Sequence, residues 1–289
     1  MTVAFDLVER PELEAPVLVL ALDGWIDAGF GATNARSALL EGLETVAVGS
    51  FDADALLDHR ARRPALHLAE GVVSDLVWPA VELRAASDAA GNDLLLLVGA
   101  EPDHTWRAFA EAVVDLAMEF GARLTVGLGA YPAPDPHTRP VRLAASASTP
   151  ELAQRFDYLR ATIDVPAGVQ AAIEHRSAQV GLPAIGLWAQ VPHYAAAMPY
   201  PAASAALIDG LAELAGLSLD STELHSQAAS MRRRLDALIA DNGEHRAMVR
   251  QLEEQADAAG DAATLMTGPL PSGDELAAEL ERYLREQDS

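Results

Sequence analysis

Neither cysteine nor lysine occurs anywhere in the chain. The first absence excludes disulfides, thiolate zinc sites, iron–sulfur ligation and cysteine nucleophiles. The second excludes a Schiff-base lysine and the phosphate-binding lysine of a Walker loop, which removes the usual footing of a ligase or kinase. Arginine supplies all 20 basic residues against 43 acidic ones, for a formal net charge of -23. A field of that sign repels phosphodiester backbones and anionic lipid surfaces, so nucleic acid and membrane are not expected partners. No apolar run approaches the roughly 20 residues that cross a bilayer. Met1 to Glu9 carries acids where a signal peptide needs a basic stretch and an apolar run, so the expected compartment is the cytoplasm.

What is present is apolar content. Half of the 289 residues are hydrophobic, enough to bury a substantial core in one large domain or two modest ones. Val17 to Leu22, Leu94 to Val98, Leu124 to Leu128 and Ala184 to Gln190 are short continuous apolar runs. Such runs, without alternation, read as strands buried on both faces of a parallel sheet. Thr45 to Phe51 and Val141 to Ala145 read as further strands, and Leu66 to Ala86 as shorter extended pieces broken by Gly71 and Pro79. Between them lie amphipathic stretches predicted to be helical: from the loop Asp23–Gly29 to about Leu43, Trp106 to Phe120, Pro150 to Arg160, Ala167 to Gln179 and Pro201 to Ala215. The strand–helix–strand rhythm around Trp106 predicts a right-handed parallel crossover.

From about Leu219 the texture changes. Leu224, Met231, Leu235, Leu238, Val249 and Leu252 fall on an alternating four-three spacing, a heptad seam suited to a coiled coil or a helical hairpin. Asp241-Asn242-Gly243 offers a turn, yet the phase survives across it, so one long helix and a hairpin both fit. The seam serves either a contact between subunits or packing on its own domain. Asp257 to Asp261 reads as a linker, and Ser272, with Glu275 at the capping-box position, as the start of a last helix. The expected division is an α/β body over 1–218 and a helical extension over 219–289.

Open parallel sheets place ligands beyond the carboxyl ends of their strands. Asp23, Asp27, Asp52, Glu101, Asp103, His104, Asp135, His137, Arg139 and His193 fall there, and converging acids and histidines suit acid–base chemistry. Solvated polar loops in an acid-rich chain account for the same pattern. Gly29-Phe30-Gly31, with Asp52 at the next strand end, has the look of a dinucleotide fingerprint. Asn34 replaces the third glycine, however, and Asp23 and Asp27 would sit where a pyrophosphate must go. Tight backbone packing accounts better for the glycines. Ser146, Ser148 and Thr149 lack a nucleophile elbow, and capping by Ser148 or Thr149 is the preferred reading. No metal set and no cofactor are expected.

Three segments carry a resemblance: Asp23-Gly24-Trp25-Ile26-Asp27-Ala28-Gly29, Pro136-His137-Thr138-Arg139-Pro140, and Pro192-His193-Tyr194 with Tyr200-Pro201. Together they resemble the proteasome assembly chaperone 2 family, most closely its actinobacterial branch, over about residues 3 to 215. The resemblance implies a phosphorylase/hydrolase-like α/β fold, a three-layer sheet with helices on both faces. It also implies association with like subunits, trimers among the forms, and a chaperone or scaffold role in assembling a complex such as the proteasome. The chain departs from those chaperones at its end, Arg285-Glu286-Gln287-Asp288-Ser289, which lacks their terminal hydrophobic–tyrosine docking motif; Tyr283 falls inside the last expected helix.

The expected function is therefore a non-catalytic, homo-oligomeric assembly chaperone or scaffold. The alternative is a phosphorylase- or hydrolase-like enzyme acting on a nucleoside-like or other small molecule, with Asp23, Asp27, Glu101, His137 and His193 as the acid–base set.

Overall fold

The computed structural model describes residues 3–154 and 164–259. The chain runs through β1 (Phe5–Leu7), β2 (Val17–Asp23), α1 (Gly31–Gly42), β3 (Val46–Phe51), the single turn α2 (Ala53–Leu56), β4 (Ala65–Ala69), β5 (Val72–Val77) and β6 (Val81–Ser87). It continues through β7 (Asp93–Ala100), α3 (Trp106–Glu119), β8 (Leu124–Ala133), β9 (Leu143–Ala147), α4 (Pro150–Gln154) and α5 (Val169–Val180). Last come β10 (Ala184–Pro192), α6 (Pro201–Ala215), α7 (Thr222–Ala240) and α8 (Gly243–Ala259).

Eight strands form one mixed sheet in the order β1-β3-β6-β7-β2-β8-β10-β9. The four apolar runs are its centre: β7, β2, β8 and β10 are mutually parallel neighbours. Antiparallel strands flank them on both sides. The central strands must be apolar throughout because successive side chains point to opposite faces and both faces are covered. Val17 and Val19 join one core, with Leu94, Leu96, Val126 and Leu187, under helices α1, α6 and α7. Leu18 and Leu20 join the other, with Leu95, Leu97 and Phe109, under α3 and α5. The result is the expected three-layer arrangement. The connection β7–α3–β8 joins parallel strands that are not neighbours, since β2 lies between them.

The segment read as short extended pieces sorts into two places. Gly71 is at the tip of the β4–β5 hairpin, a separate two-stranded sheet, and Pro79 separates that hairpin from β6, which belongs to the main sheet. At α4, Thr149 provides the cap, its Oγ1 accepting from the Leu152 N–H at 3.2 Å. Ser148 Oγ instead accepts from the Ala184 N–H at the start of β10. Residues 155–160 of the expected 150–160 helix lie outside the described residues, as does the helix expected after Ser272.

Among the described residues, 219–259 form two helices. Asn242 Oδ1 accepts from the main-chain N–H groups of Glu244 and His245, which starts α8 afresh. Leu224 and Leu235 of α7 enter the core beneath α6, with Met231 packed against it. Val249 and Leu252 of α8 are buried, while Leu238 is exposed. α8 continues to Ala259, so the linker expected from Asp257 begins as helix. Among the described residues no helix is long and apolar enough to cross a membrane.

Candidate functional site

Because β2, β7, β8 and β10 are parallel, their carboxyl ends share one rim, and the three motif segments leave from it. The segment after β2 is pinned by its own acid. The Asp27 carboxylate accepts from the main-chain N–H groups of Ala32 at 2.8 Å and Thr33 at 2.9 Å. It therefore occupies the positive end of α1, where a phosphate would have to bind. This is the physical reason the glycine pair is not a pyrophosphate cradle. Gly31 instead packs against Ala130 of β8, where an added Cβ would come within 2.8 Å of the alanine methyl.

Two motif segments meet at Gly29. Its N–H donates to Ala196 O at 2.7 Å, and its own carbonyl accepts from the Tyr200 N–H at 2.8 Å. Asp23, at the end of β2, forms an ion pair with Arg36 of α1 at 2.6 Å. Asp52, after β3, caps α2 by accepting from Asp54 and Ala55.

The second junction is built on His137, buried in the loop after β8. Its main-chain N–H donates to the Tyr194 hydroxyl oxygen at 2.8 Å, and its Nδ1 lies 2.7 Å from the same oxygen. Nε2 faces Asp236 of α7 at 3.1 Å. Burial pushes the Tyr194 phenol up to about 12, so it keeps its proton. The two ring nitrogens are thus both engaged, Nδ1 by the tyrosine hydroxyl and Nε2 by the Asp236 carboxylate. The adjacent residues extend the tie to α8. Thr138 Oγ1 donates to Glu253, and Arg139 holds Asp257 through two hydrogen bonds of 2.8 and 2.6 Å. Asp135 pairs with Arg142.

Glu101, at the end of β7, is buried and turns toward α5, on the other side of the sheet from α7. Its carboxylate accepts from the Val169 N–H at 2.7 Å. Burial pushes its pKa up, against that hydrogen bond and the charge of Arg62, which pull it down. Trp25 is half exposed and is a near neighbour of Gly168, just before α5. Asp103 pairs with Arg62. His193 is exposed, its ring edge-on to Tyr194 at 5.3 Å.

Each of Asp23, Asp27, Glu101 and His137 thus engages a different group: an arginine, a helix end, the start of α5, and a tyrosine–aspartate pair. His137 and His193 share the Tyr194 ring. Among the described residues no group of three or more histidines and acids is arranged to hold a metal ion. Two buried acids, Asp88 and Glu174, have no counterpart in the sequence reading. Glu174 of α5 accepts from Ser146 of β9 at 2.7 Å and Gln170 at 3.0 Å, tucked against Gly186. A glutamate in an amphipathic stretch carries no local mark of burial; only the missing side chain on a neighbouring strand makes room for it.

The match to known proteins covers these same segments. The PAC2 family model matches residues 21–239, from the end of β2 to nearly the end of α7. The chain belongs to the PAC2 family. Its fold matches a Mycobacterium tuberculosis protein of unknown function at 37% identity and a TM-score of 0.82, covering 89% of this chain and 92% of that one. A proteasome-assembly chaperone homologue from the same organism matches at 29% identity and a TM-score of 0.75, covering 81% and 99%. An archaeal proteasome activator from Pyrococcus furiosus, at 16% identity, shares the fold with a TM-score of 0.65, over 82% and 98%. No curated protein matches the chain.

Proposed function

We propose that this PAC2 family protein is a non-catalytic, homo-oligomeric assembly chaperone or scaffold acting on a proteasome-type complex. Membership of the family and likeness to a solved proteasome-assembly chaperone homologue support the role. The observation that carries it is how the motif residues are used. Asp27, Gly29, His137, Arg139, Tyr194 and Tyr200 join loops and helices of the chain to one another, making a braced rim suited to presenting a surface. In this reading residues 1–218 form the body and 219–289 an extension that adds to its contact surface.

Light scattering coupled to size exclusion tests the reading on the full chain at micromolar concentration, alone and with purified proteasome subunits of its own organism. A mass that is a multiple of one chain, and co-elution with the subunits, are expected. A monomer that ignores the subunits would sink the proposal.

A further inference from the structure

The β4–β5 hairpin packs into neither core. Of the sixteen large apolar side chains exposed among the described residues, seven fall within residues 66–78. Scattered exposed hydrophobics need no explanation, but a contiguous set marks a contact surface. Strand register shows how the set is built. Leu66 faces Leu76 and, after a bulge at Ser74, Leu68 faces Val73. Without the bulge the alternation along β5 would send Val73 and Leu76 to opposite sides. With it, Leu66, Leu68, Val73 and Leu76 form one wholly apolar face, between 40% and 62% exposed. The other face is mixed, with the polar pair His67 and Asp75 between the pairs Ala65 with Val77 and Ala69 with Val72. A lone two-stranded hairpin is marginal in water unless something covers its apolar side.

A second unmatched apolar feature lies on the same chain. Met198, Pro199, Met231, Leu235 and Leu238 line a groove of about 300 Å3 between the loop after β10 and α7, with Arg234 at its wall. The arm enters from β3 and leaves into β6, and the groove follows β10, so β7, β2 and β8 separate them along the sheet. Both lie at the rim formed by the carboxyl ends of the parallel strands. Their charges are opposite. The arm carries Glu70 at its tip and Asp75, and no arginine. The groove is walled by Arg234, a cation in a chain of net charge -23. Arg234 has no ion-pair partner among the described residues.

We infer that the arm of one copy seats its Leu66/Leu68/Val73/Leu76 face in the Met198–α7 groove of a second copy, with Glu70 or Asp75 against Arg234. The inference rests on the homo-oligomeric reading and specifies its contact. Because two different surfaces meet, the association is head-to-tail, and it closes into a ring when the rotation between copies permits.

The absence of native cysteine makes a direct test simple. Full-length protein carrying Leu66→Cys is mixed with full-length protein carrying Leu238→Cys and oxidised mildly. Disulfides linking the two variants are expected in preference to either variant linked to itself. In parallel, Leu68→Asp and Leu238→Asp, both at exposed positions, are each expected to raise the dissociation constant of the oligomer at least tenfold. Far-UV circular dichroism of each variant checks that it folds. An oligomer that forms unchanged in both aspartate variants, or Leu66→Cys chains that link only to one another, overturns the arm-in-groove contact and leaves the homo-oligomeric reading standing. A monomeric wild-type chain at micromolar concentration overturns both.

Discussion

Gly29 and Tyr200 stand so close that no side chain fits between them. A Cβ on Gly29 would lie 2.6 Å from the Tyr200 Cβ and 3.2 Å from Val191 Cγ1, and Gly29 has a φ of +64°. The loop after β2 and the loop before α6 are therefore joined by main-chain hydrogen bonds at a position that demands glycine twice over, for its dihedral and for its lack of bulk.

Gly29→Ala is expected to cost about 3 kcal/mol. Left-handed strain contributes roughly 1–2 kcal/mol, and forcing Tyr200 and Val191 aside adds about 1–3 kcal/mol. Gly42, in the last turn of α1, has no neighbour within 4 Å of an added Cβ. Gly42→Ala should leave stability unchanged or raise it by about 0.5–1 kcal/mol. Urea denaturation of the two variants checks this; equal effects would remove the packing account of the Gly29 junction.

Tyr194→Phe removes the hydroxyl oxygen through which His137 reaches the loop after β10. The His137 main-chain N–H and Nδ1 both lose their partner at 2.8 and 2.7 Å, and a buried polar group left unpaired costs about 1–3 kcal/mol. Asp236, the other partner, is half exposed, so Asp236→Ala should cost less than about 1 kcal/mol. Thermal denaturation should rank the tyrosine variant well below the aspartate variant. The reverse order would show that the contact with α7, rather than the tyrosine, positions the histidine.

Stability should depend on pH through Glu174. Burial pushes this carboxyl above its ordinary value of 4.5, against the hydrogen bonds from Ser146 and Gln170. The folded state then holds the proton more tightly than the unfolded chain, so stability declines as pH rises from 4.5 through the folded pKa. Glu174→Gln cannot ionise. Its melting temperature should exceed that of the wild type at neutral pH, with the gap closing toward pH 4.5. A gap that instead widens on acidification would mean the carboxylate is held in its charged form.

The four central strands were legible because their runs are apolar without alternation, and only a strand covered on both faces tolerates that. Helices α1, α3, α5 and α6 were legible from their spacing to within a few residues. Strand order was not, since the apolar runs of β2, β7 and β8 are chemically alike and nothing in them says that β2 lies between the other two. Nor was the fate of Leu66 to Ala86, in which an arm apolar on an exposed face reads much like strands of the body.

Asp27 shows where the division falls at the rim. That acids beside the glycines would oppose a phosphate followed from charge alone, but that its carboxylate fills the end of α1 is a matter of three-dimensional placement. His137 meets partners 57 and 99 residues away in the chain, and no local pattern encodes such pairings. The heptad phase crosses Asp241–Asn242 unbroken, so periodicity allowed one helix or two; the Asn242 side chain, by accepting the first amide groups of α8, decided for two. Composition and periodicity determine which residues leave water. Which of them then meet is decided by the folded chain, because the energy of a contact depends on distance in space and not on distance in sequence.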